Sequence, residues 1–344
     1  MRSYFLRRLL LIPPTLLGIT IIVFLITRVV PGGPVERMIM EMQQMSASTG
    51  GSTQGSSSFG GQDQALSEEQ IQQLKEYYGF DKPPIQSYFH WLGKVVQGDL
   101  GTSYRYQEPV WDLIRERFPI SIFYGLSTLF IIYTVCIPLG IVKAIKHRSF
   151  LDNSTSILIF TGYAIPGYVL GALLIVFLAA RMEWFPMGGF TSFDFYDKTT
   201  WGKVVDVLWH AVLPLCSYLI GSFALLTPLM KNHLIDNLAA DYIRTAVAKG
   251  VSFKQAVVGH ALRNSLIPIA TTFGQNIVFL VSGSFLIETI FDINGFGLLG
   301  FSAILDRDYP IVMGVLLISS VLLLLGNIIS DIIVAIIDPR VRFK

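Results

Sequence analysis

Residues 311–335 read IVMGVLLISSVLLLLGNIISDIIVA, an apolar run that only the charge of Asp331 interrupts. A bilayer core about 30 Å thick requires about 20 apolar residues of α-helix, so this run is long enough to cross a membrane. Runs of comparable hydropathy precede it along the chain. They lie at about 9–30, 119–142, 155–180, 209–230 and 266–290. The sequence therefore predicts an all-α integral membrane protein with six transmembrane helices.

The composition agrees with this prediction. Hydrophobic residues make up 52% of the 344 residues and charged residues 15%, with a mean hydropathy of +0.56. Soluble domains carry about 25% charged residues. The formal net charge is only +2, which argues against a protein that binds nucleic acid. Cys136 and Cys216 lie inside predicted spans without metal-type or disulfide-type spacing, so we interpret both as small apolar residues.

The basic residues are distributed unevenly between alternate connections. The two terminal segments and the connections after the second and fourth spans hold 14 basic and five acidic residues, whereas the rest holds 12 basic and 19 acidic residues. The positive-inside rule then places both termini and the loop 231–265 in the cytoplasm. The first span follows Arg7 and Arg8 and lacks a small-residue cleavage site after it, so we expect a retained signal-anchor helix.

Three regions follow from this topology. Residues 1–30 form the N-terminal segment and the first span, and residues 119–344 form a core domain with the other five. Between them, residues 31–118 are expected to form a small helical subdomain on the outer side. Its segment 46–64 is rich in Gly and Ser, cannot bury a core, and is therefore predicted to be flexible.

Helices are predicted within this outer subdomain from three local signals. A capping-box pattern at Ser67 to Gln70 begins the first. Apolar residues at helical spacing predict the second over 85–97, with a break at Gly98. A third begins at Pro109, a favourable first helical position, and continues into the second span.

The cytoplasmic loop contains signals for two short helices. The first covers about 241–249 and is expected to stop at Gly250. The second begins after Ser252, where Gln255 completes a capping box. Ala246 and Gly250 lie four residues apart on one helical face, and both are small enough for another surface to approach closely. By the residues alone, docking on anionic lipid and docking on a protein are equally compatible with this basic, amphipathic loop.

The segment Thr245-Ala246-Val247-Ala248-Lys249-Gly250 resembles the loop motif of peptide-class ABC importer permeases. Similar motifs occur elsewhere along the chain. In the core they are Trp209-His210, Leu213-Pro214, His260-Ala261-Leu262-Arg263-Asn264, Ile267-Pro268, Glu288, Phe291, Gly295-Phe296-Gly297, Asp308-Tyr309-Pro310 and Asp338-Pro339-Arg340. In the outer region they are Asp81-Lys82-Pro83, Gln97-Gly98-Asp99-Leu100-Gly101 and Glu108-Pro109-Val110. Together they resemble the dipeptide/oligopeptide/nickel permease family in its first-subunit branch, and within it the microcin C-type oligopeptide permeases.

The resemblance implies a type I ABC importer permease fold in the bacterial inner membrane. It implies four kinds of partner: a second homologous permease subunit, two cytoplasmic ATPase subunits or domains, an extracytoplasmic solute-binding protein, and membrane lipid. ATP and Mg²⁺ would bind to the ATPases, and no cofactor would bind to this chain directly. The permease would move short peptides or peptide-like compounds inward by ATP-driven alternating access. Related permeases carry nickel chelates, opines or oligosaccharides, so these ligands remain alternatives.

The resemblance also implies which residues couple the chain to its ATPase. They would be Asp241, Tyr242, Arg244, Thr245, Ala246, Lys249, Gly250 and His260. Arg244 stands where other importer classes have an acidic residue, so a salt bridge known from those classes does not carry over.

Candidates for the translocation path or its gates are Pro166, Gly167, Gln275, Asn276, Glu288, Gly295, Gly297 and Asp308. Pro166 and Gly167 favour either close helix packing or a kink beside the path. Gln275 and Asn276 could line a polar path or bond between helices. Glu288 and Asp331 lie near predicted span ends, which favours capping or ion pairing over a proton relay.

Other function classes are less compatible with the sequence. No GxxxxGK[ST] motif occurs, so the chain has no phosphate-binding loop of its own. An intramembrane enzyme would need paired catalytic groups at membrane depth, but the five His residues lie in loops or at span ends. A proton-coupled secondary transporter usually has charged relays in mid-span, and such pairs are absent. We therefore assign no catalytic and no metal-binding residues.

Overall fold

The computed structural model describes residues 2–29, 81–281 and 283–337, together with residues 33, 36, 40, 72, 73 and 76. The predicted flexible segment 46–64, the capping box at Ser67 and the Asp338-Pro339-Arg340 motif lie outside the described residues. Elsewhere the regular structure described is helical, with one isolated antiparallel bridge between Thr102 and Pro109.

The helices follow one another with short connections. In chain order they are α1 (Arg2–Val29), α2 (Pro84–Val96), α3 (Val110–Ile145), α4 (Phe150–Tyr163), α5 (Gly167–Leu174), α6 (Thr200–Ala239), α7 (Asp241–Ala248), α8 (Phe253–Ala256), α9 (Leu262–Val281), α10 (Phe285–Ile290), α11 (Phe296–Asp306) and α12 (Tyr309–Ile337). Two π-helical segments, Ile175–Arg181 and Val257–Ala261, extend α5 and join α8 to α9, and a 3₁₀ turn spans Phe195–Asp197.

Four helices in the described part of the chain are long and apolar enough to cross a membrane. They contain the predicted first, second, fourth and sixth spans, and lie at Leu6–Val29, Val110–Ile145, Thr200–Ala239 and Tyr309–Ile337. The third prediction, 155–180, corresponds to α4 and α5 with its π-helical extension, which together have the required length but are bent by 88°. The bend falls at Pro166, which has no backbone N–H to continue the helix.

The prediction of one continuous fifth span over 266–290 is wrong. The chain forms α9 up to Val281 and resumes as α10 at Phe285, so residues 266–290 do not form a single helix. The described residues thus contain four spanning helices, or five if the bent pair is one span. Helical hydropathy alone did not reveal the break because the segments on either side of it are both apolar.

The local predictions for the outer region are confirmed where the structure describes it. The helix expected over 85–97 is α2, and Gly98 follows it with a positive φ of 84°. The helix expected from Pro109 is α3, which continues without interruption to Ile145. Asp99 stabilises the turn between these helices, since its Oδ1 accepts a hydrogen bond from the Gly101 N–H at 2.8 Å.

The chain folds into two compact units. One comprises Met1–Pro13, Ile114–Phe301 and Ile318–Lys344, and the other comprises Pro14–Leu113 and Ser302–Leu317. In the second unit, Phe24, Tyr88 and Met313 form a small buried cluster, and the hydroxyls of Thr20 and Tyr88 bond at 2.9 Å.

The first unit has two larger cores. One is formed by residues of α3, α6, α7, α8 and α9, with the segment that joins α8 to α9. Its most buried members are Cys136, Met230, Leu234, Ala256, Ala261 and Ile269. The second lies where α5 and α10 pack against α3 and α6, around Tyr124, Leu213 and Phe291. The first of these cores supports the loop between α6 and α9 that is described next.

Candidate functional site

The α7 helix ends in a closed turn at Gly250. The Val251 N–H donates to the Ala246 carbonyl at 3.1 Å, and the Gly250 N–H donates to the Val247 carbonyl at 2.9 Å. These two bonds define a Schellman motif, which needs a residue with positive φ after the helix. Gly250 supplies it with φ +91°. The helix stop predicted from the sequence is therefore confirmed.

One side chain anchors α7 to the core beneath it. Ile243 is 4% exposed and packs in the same cluster as Met230 and Leu234 of α6. The predicted coupling residues lie mostly on the outer surface: Asp241, Tyr242, Arg244, Thr245, Lys249, Gly250 and His260 are exposed, and Ala246 is half-buried. Arg244 Nη1 lies 3.7 Å from Asp241 Oδ1. Both side chains are exposed, so this ion pair contributes little to the stability of the helix. The exposed surface of the helix therefore carries mostly polar and charged side chains, which a binding partner could contact.

The second half of the loop has the predicted capping box. The Ser252 side chain accepts from the Gln255 N–H, and the Gln255 side chain accepts from the Ser252 N–H at 3.3 Å. This box starts α8, which continues through the π-helical turn Val257–Ala261 into α9. The wide turn places Val258, Gly259 and His260 on the surface while Ala261 is fully buried. π-helical turns occur frequently at functional sites.

Glu288 caps a helix inside the first unit. It is 1% exposed, and its carboxylate accepts from the Leu298 N–H in the first turn of α11 and from the Ser121 hydroxyl at 3.2 Å. Ser121 in turn accepts from the Phe296 N–H at 2.8 Å. A carboxylate at a helix N-terminus satisfies free N–H groups and stabilises the helix dipole. Among the alternatives considered for Glu288, the structure therefore shows helix capping.

The Glu288 carboxylate leaves no room for a side chain at the neighbouring Gly295. A Cβ atom added to Gly295 would overlap the Glu288 carboxyl carbon, so no larger residue fits there without displacing it. Gly297 occupies the second position of α11, one residue before the N–H that Glu288 accepts. These residues form one capping arrangement.

Asp308 belongs to a separate arrangement in the second unit. It is 1% exposed, and its Oδ2 accepts from the Ser103 hydroxyl at 2.6 Å and from the Arg105 N–H at 3.0 Å. The nearby Arg105 and Asp306 side chains form a further ion pair. Asp308 directly precedes α12 and joins the start of that helix to the segment after α2.

The other pathway candidates lie at helix contacts. A Cβ on Gly167 would be 2.5 Å from the Ser217 carbonyl oxygen, so α5 and α6 approach closely there. Asn276 donates from Nδ2 to the Tyr133 hydroxyl at 3.0 Å, which bonds α9 to α3. Of the two readings left open for Asn276, the structure shows a bond between helices. The side chain of Gln275 lies outside the described residues.

Arg8 and Asp331 form an ion pair, in agreement with the pairing expected for Asp331. The sequence did not predict a larger ionic cluster, because its members enter the sequence analysis only as individual charges. Asp152 at the start of α4 lies against both Lys143 of α3 and Lys231 of α6. Asp152 and Lys231 are 79 positions apart in the sequence, so no local spacing could have indicated their contact.

The connection before α6 is held by a third set of charges. Lys198 Nζ lies 2.6 Å from Asp206 Oδ1 and 3.2 Å from Asp194 Oδ1. The hydrogen bond to Asp206, followed by that to Asp194, raises the pKa of Lys198 above its usual value. Hydrogen bonds from Ser192 and then Lys198 lower the pKa of Asp194. The lysine therefore remains charged and fixes this connection.

Residues 136–343 match the family described as the inner membrane component of binding-protein-dependent transport systems. The chain belongs to this family. The matched region includes the whole of the α7–α9 loop, the Glu288 cap and the Asp152 cluster. The family consists of transport permeases, and its members lie in the inner membrane. The recognition made from the loop motif is confirmed.

Full-length relatives place the chain more narrowly within this family. It is 39% identical to the peptidoglycan transport system permease protein YejB of Agrobacterium fabrum, over 100% of this chain and 99% of the relative. It is also 39% identical to the inner membrane ABC transporter permease protein YejB of Escherichia coli O157:H7, over 100% of both chains. The dipeptide transport system permease protein DppB of Escherichia coli K12 is 31% identical over 100% of both chains.

A solved structure has the same fold. The MetNI methionine ABC transporter in its inward-facing conformations matches 66% of this chain and 96% of its own chain, with a TM-score of 0.50 and 15% identity. At that identity the likeness concerns the fold alone. It supports the expected type I ABC importer permease fold.

Proposed function

We propose that this chain is one of two homologous permease subunits of an ATP-driven importer, and that α7 and the turn after it dock onto a cytoplasmic ATPase. The observation that carries this proposal is the geometry of α7. Ile243 fixes one face of α7 to the core, and Asp241, Arg244 and Thr245 are exposed on the rest of its surface. A rigidly anchored helix with a free polar face can transmit the movement of a bound partner to α6.

The proposed topology has six membrane crossings with both termini in the cytoplasm. The charge distribution along the sequence supports this orientation, since the basic α7–α9 loop must then face inward. The bent pair of α4 and α5 would provide the third crossing, and α9 with α10 a broken fifth one. Broken helices are tolerated at membrane depth where protein covers the freed backbone groups. The outer subdomain would receive ligand from a solute-binding protein.

The proposed substrates are short peptides or peptide-like compounds. The names of the relatives support this class, because they describe transport of peptidoglycan, oligopeptides and dipeptides. Nickel chelates, opines and oligosaccharides are the alternatives within the same family. Uptake of a labelled tripeptide by cells that express the whole system should be inhibited by unlabelled peptides and by peptidoglycan-derived peptides. Inhibition by oligosaccharides alone would contradict the peptide assignment.

In this proposal the permease itself binds no cofactor. ATP and Mg²⁺ are held by the two partner ATPases, and their closure rocks the two permease subunits between inward-open and outward-open states. The residues of this chain contribute the docking face, the anchored helices and the ligand path. The purified chain alone is therefore expected to hydrolyse no ATP, whereas the co-expressed complex hydrolyses it.

The docking assignment is tested by Gly250→Trp. A Cβ at Gly250 meets no other atom within 4 Å in the described part of the chain, so the new side chain projects into open space on the proposed docking face. Gly98→Trp is a matched control, since Gly98 also has a positive φ of 84° and an equally open Cβ position in the second unit. Both variants carry a similar backbone strain of about 1–2 kcal/mol. Only the Gly250 variant should lose ATPase subunits during co-purification; equal retention in both variants would contradict docking at this face.

A further inference from the structure

A chain of side-chain hydrogen bonds lies beside the anchored face of α7. The Tyr242 hydroxyl donates to Asn237 Oδ1 at 2.7 Å and accepts from Asn264 Nδ2 at 3.1 Å. Asn237 Nδ2 donates to the Ser265 hydroxyl oxygen at 3.2 Å and to the His233 carbonyl at 2.8 Å. The chain therefore joins the end of α6, the first turn of α7 and the first turn of α9.

Asn237 and Tyr242 are the two middle members of this chain, and each bonds to both other helices. Asn237 is the member that bonds to the buried Ser265. It is half-buried near the end of α6, two residues before the helix ends. Its amide oxygen is directed to α7, and its amide nitrogen to Ser265, which is fully buried in α9. An amide can accept and donate at the same time, which an aliphatic or acidic side chain of similar size cannot do.

The polar bonds add directionality to an otherwise apolar contact. Ile243 anchors α7 through non-directional packing, which permits small rotations of the helix about that contact. Hydrogen bonds fix orientation because they weaken steeply with angle. The bonds of Tyr242 to Asn237 and Asn264 act at one side of Ile243, so two kinds of contact together fix the angle of α7.

We propose that Asn237 is a positioning residue for coupling to the ATPase, and that Tyr242 acts mainly through Asn237. This inference rests on the proposed function, since it assumes that α7 is the docking helix. It assigns a role to Asn237, which lies outside the motif that indicated the loop. It also changes the expected role of Tyr242, from a contact with the ATPase to a contact that orients the helix. Without the Asn237 amide, α7 would still dock, but its movement would be transmitted less completely to α6 and α9.

The test uses the complete transporter, purified with its ATPase subunits and second permease and reconstituted in vesicles with its binding protein. The probe is labelled trialanine, and the readout is the number of peptides taken up per ATP hydrolysed. Asn237→Ala and Tyr242→Phe should each lower this ratio about fivefold, because both remove the bond between the Tyr242 hydroxyl and Asn237 Oδ1, and a fivefold change is about what one hydrogen bond contributes. The double variant should be no worse than either single variant, because both changes break the same chain.

Asn232→Ala is the matched control. It removes the same side chain from the same helix at an exposed position one and a half turns earlier, and it should retain the wild-type ratio. Co-purification of the ATPase and the melting temperature are measured for every variant. In Tyr242→Phe, the amount of co-purified ATPase and the melting temperature should both remain close to wild type. This variant removes only one hydroxyl group, so it still tests the proposal if Asn237→Ala fails to fold.

Two results would overturn the inference. One is a wild-type ratio in Tyr242→Phe or in a folded Asn237→Ala protein. The other is a double variant whose loss equals the product of the single losses, which would show independent actions. Failure of the wild-type complex to take up trialanine with ATP would instead contradict the proposed function, so the two failures are distinguishable.

Discussion

Lys231 donates hydrogen bonds to both carboxylate oxygens of Asp152, at 2.7 and 2.8 Å. Lys143 approaches the same carboxylate to 3.1 Å and is itself 2% exposed. Its ammonium group also donates to the Asp152 carbonyl, the Thr155 hydroxyl and the Ser156 hydroxyl at 2.6–2.8 Å. One buried carboxylate thus holds α3, α4 and α6 together, about two turns before α6 reaches the α7–α9 loop.

We expect Asp152→Asn to destabilise the protein by about 3–5 kcal/mol, because it leaves the buried Lys143 and the half-buried Lys231 without a counter-charge. Lys231→Met should cost less, about 2 kcal/mol, because Asp152 keeps Lys143 as its partner. Lys146→Met is the control, since Lys146 is exposed in the same connection and should be neutral. Thermal unfolding in detergent measures all three, and a larger loss in Lys231→Met than in Asp152→Asn would contradict this description of the cluster.

Gly295→Ala should destabilise the first unit by about 1–3 kcal/mol, because its Cβ would displace the Glu288 carboxylate from the α11 cap. The same change in a Glu288→Ala background should cost much less, since the overlapping group is then gone. The measurement is a double-mutant cycle on the melting temperature of the detergent-solubilised chain.

Gly221→Ala provides the control for that cycle. Gly221 lies inside α6, and its Cβ position meets no other atom within 4 Å among the residues that the structure describes. The substitution should therefore be neutral or slightly stabilising. Additive losses for Gly295 and Glu288 would show that the carboxylate and the glycine do not share one space.

Gly274→Val is expected to be strongly disruptive. A Cβ at Gly274 would overlap the backbone of Gly326, so α9 and α12 touch directly at these two glycines. The Ser330 hydroxyl adds a hydrogen bond to the Ala270 carbonyl at 2.6 Å one turn further along. Small residues permit such close helix contacts in membranes. Lower yield and melting temperature are expected, with Gly221→Val as the comparison; equal behaviour of the two variants would contradict the contact.

Asp308→Ala should loosen the second unit. Removal of the carboxylate leaves the buried Ser103 hydroxyl and the Arg105 N–H without their acceptor, at a cost of about 1–3 kcal/mol. Asp112→Ala is the control, because Asp112 is exposed in the first turn of α3. Limited proteolysis between α2 and α3 should accelerate in Asp308→Ala alone. Unchanged cleavage in both variants would show that Asp308 does not fix this segment.

Most of the helices and the α7–α9 loop could be predicted from the sequence. Hydropathy located α1, α3, α6 and α12, because an apolar run that is long enough to cross a bilayer core as a helix indicates a transmembrane segment. Local capping signals located the loop: Gly250 ends α7, and Ser252 with Gln255 begins α8. Such signals are readable because their partners lie within a few residues along the chain.

Hydropathy and local capping signals did not predict the break between α9 and α10. They also did not determine the roles of several pathway candidates. Asn276 was compatible with either a polar path or a helix contact, and its bond to Tyr133 is seen only in the tertiary structure. The Gly274 contact with Gly326 also had no signal in the local pattern. The number of membrane crossings and the orientation of the termini remain predictions from hydropathy and charge.

The sequence by itself determined that the chain is a helical membrane protein and where α7 ends and α8 begins, because hydrophobic length and helix caps depend on neighbouring residues. Only the tertiary structure decided which charges meet. Asp152 pairs with Lys231, 79 positions away in the sequence, Glu288 caps α11, and Asn237 joins three helices around the loop. These contacts depend on how helices pack in space, and a buried charge or amide finds its partner across that packing rather than along the chain.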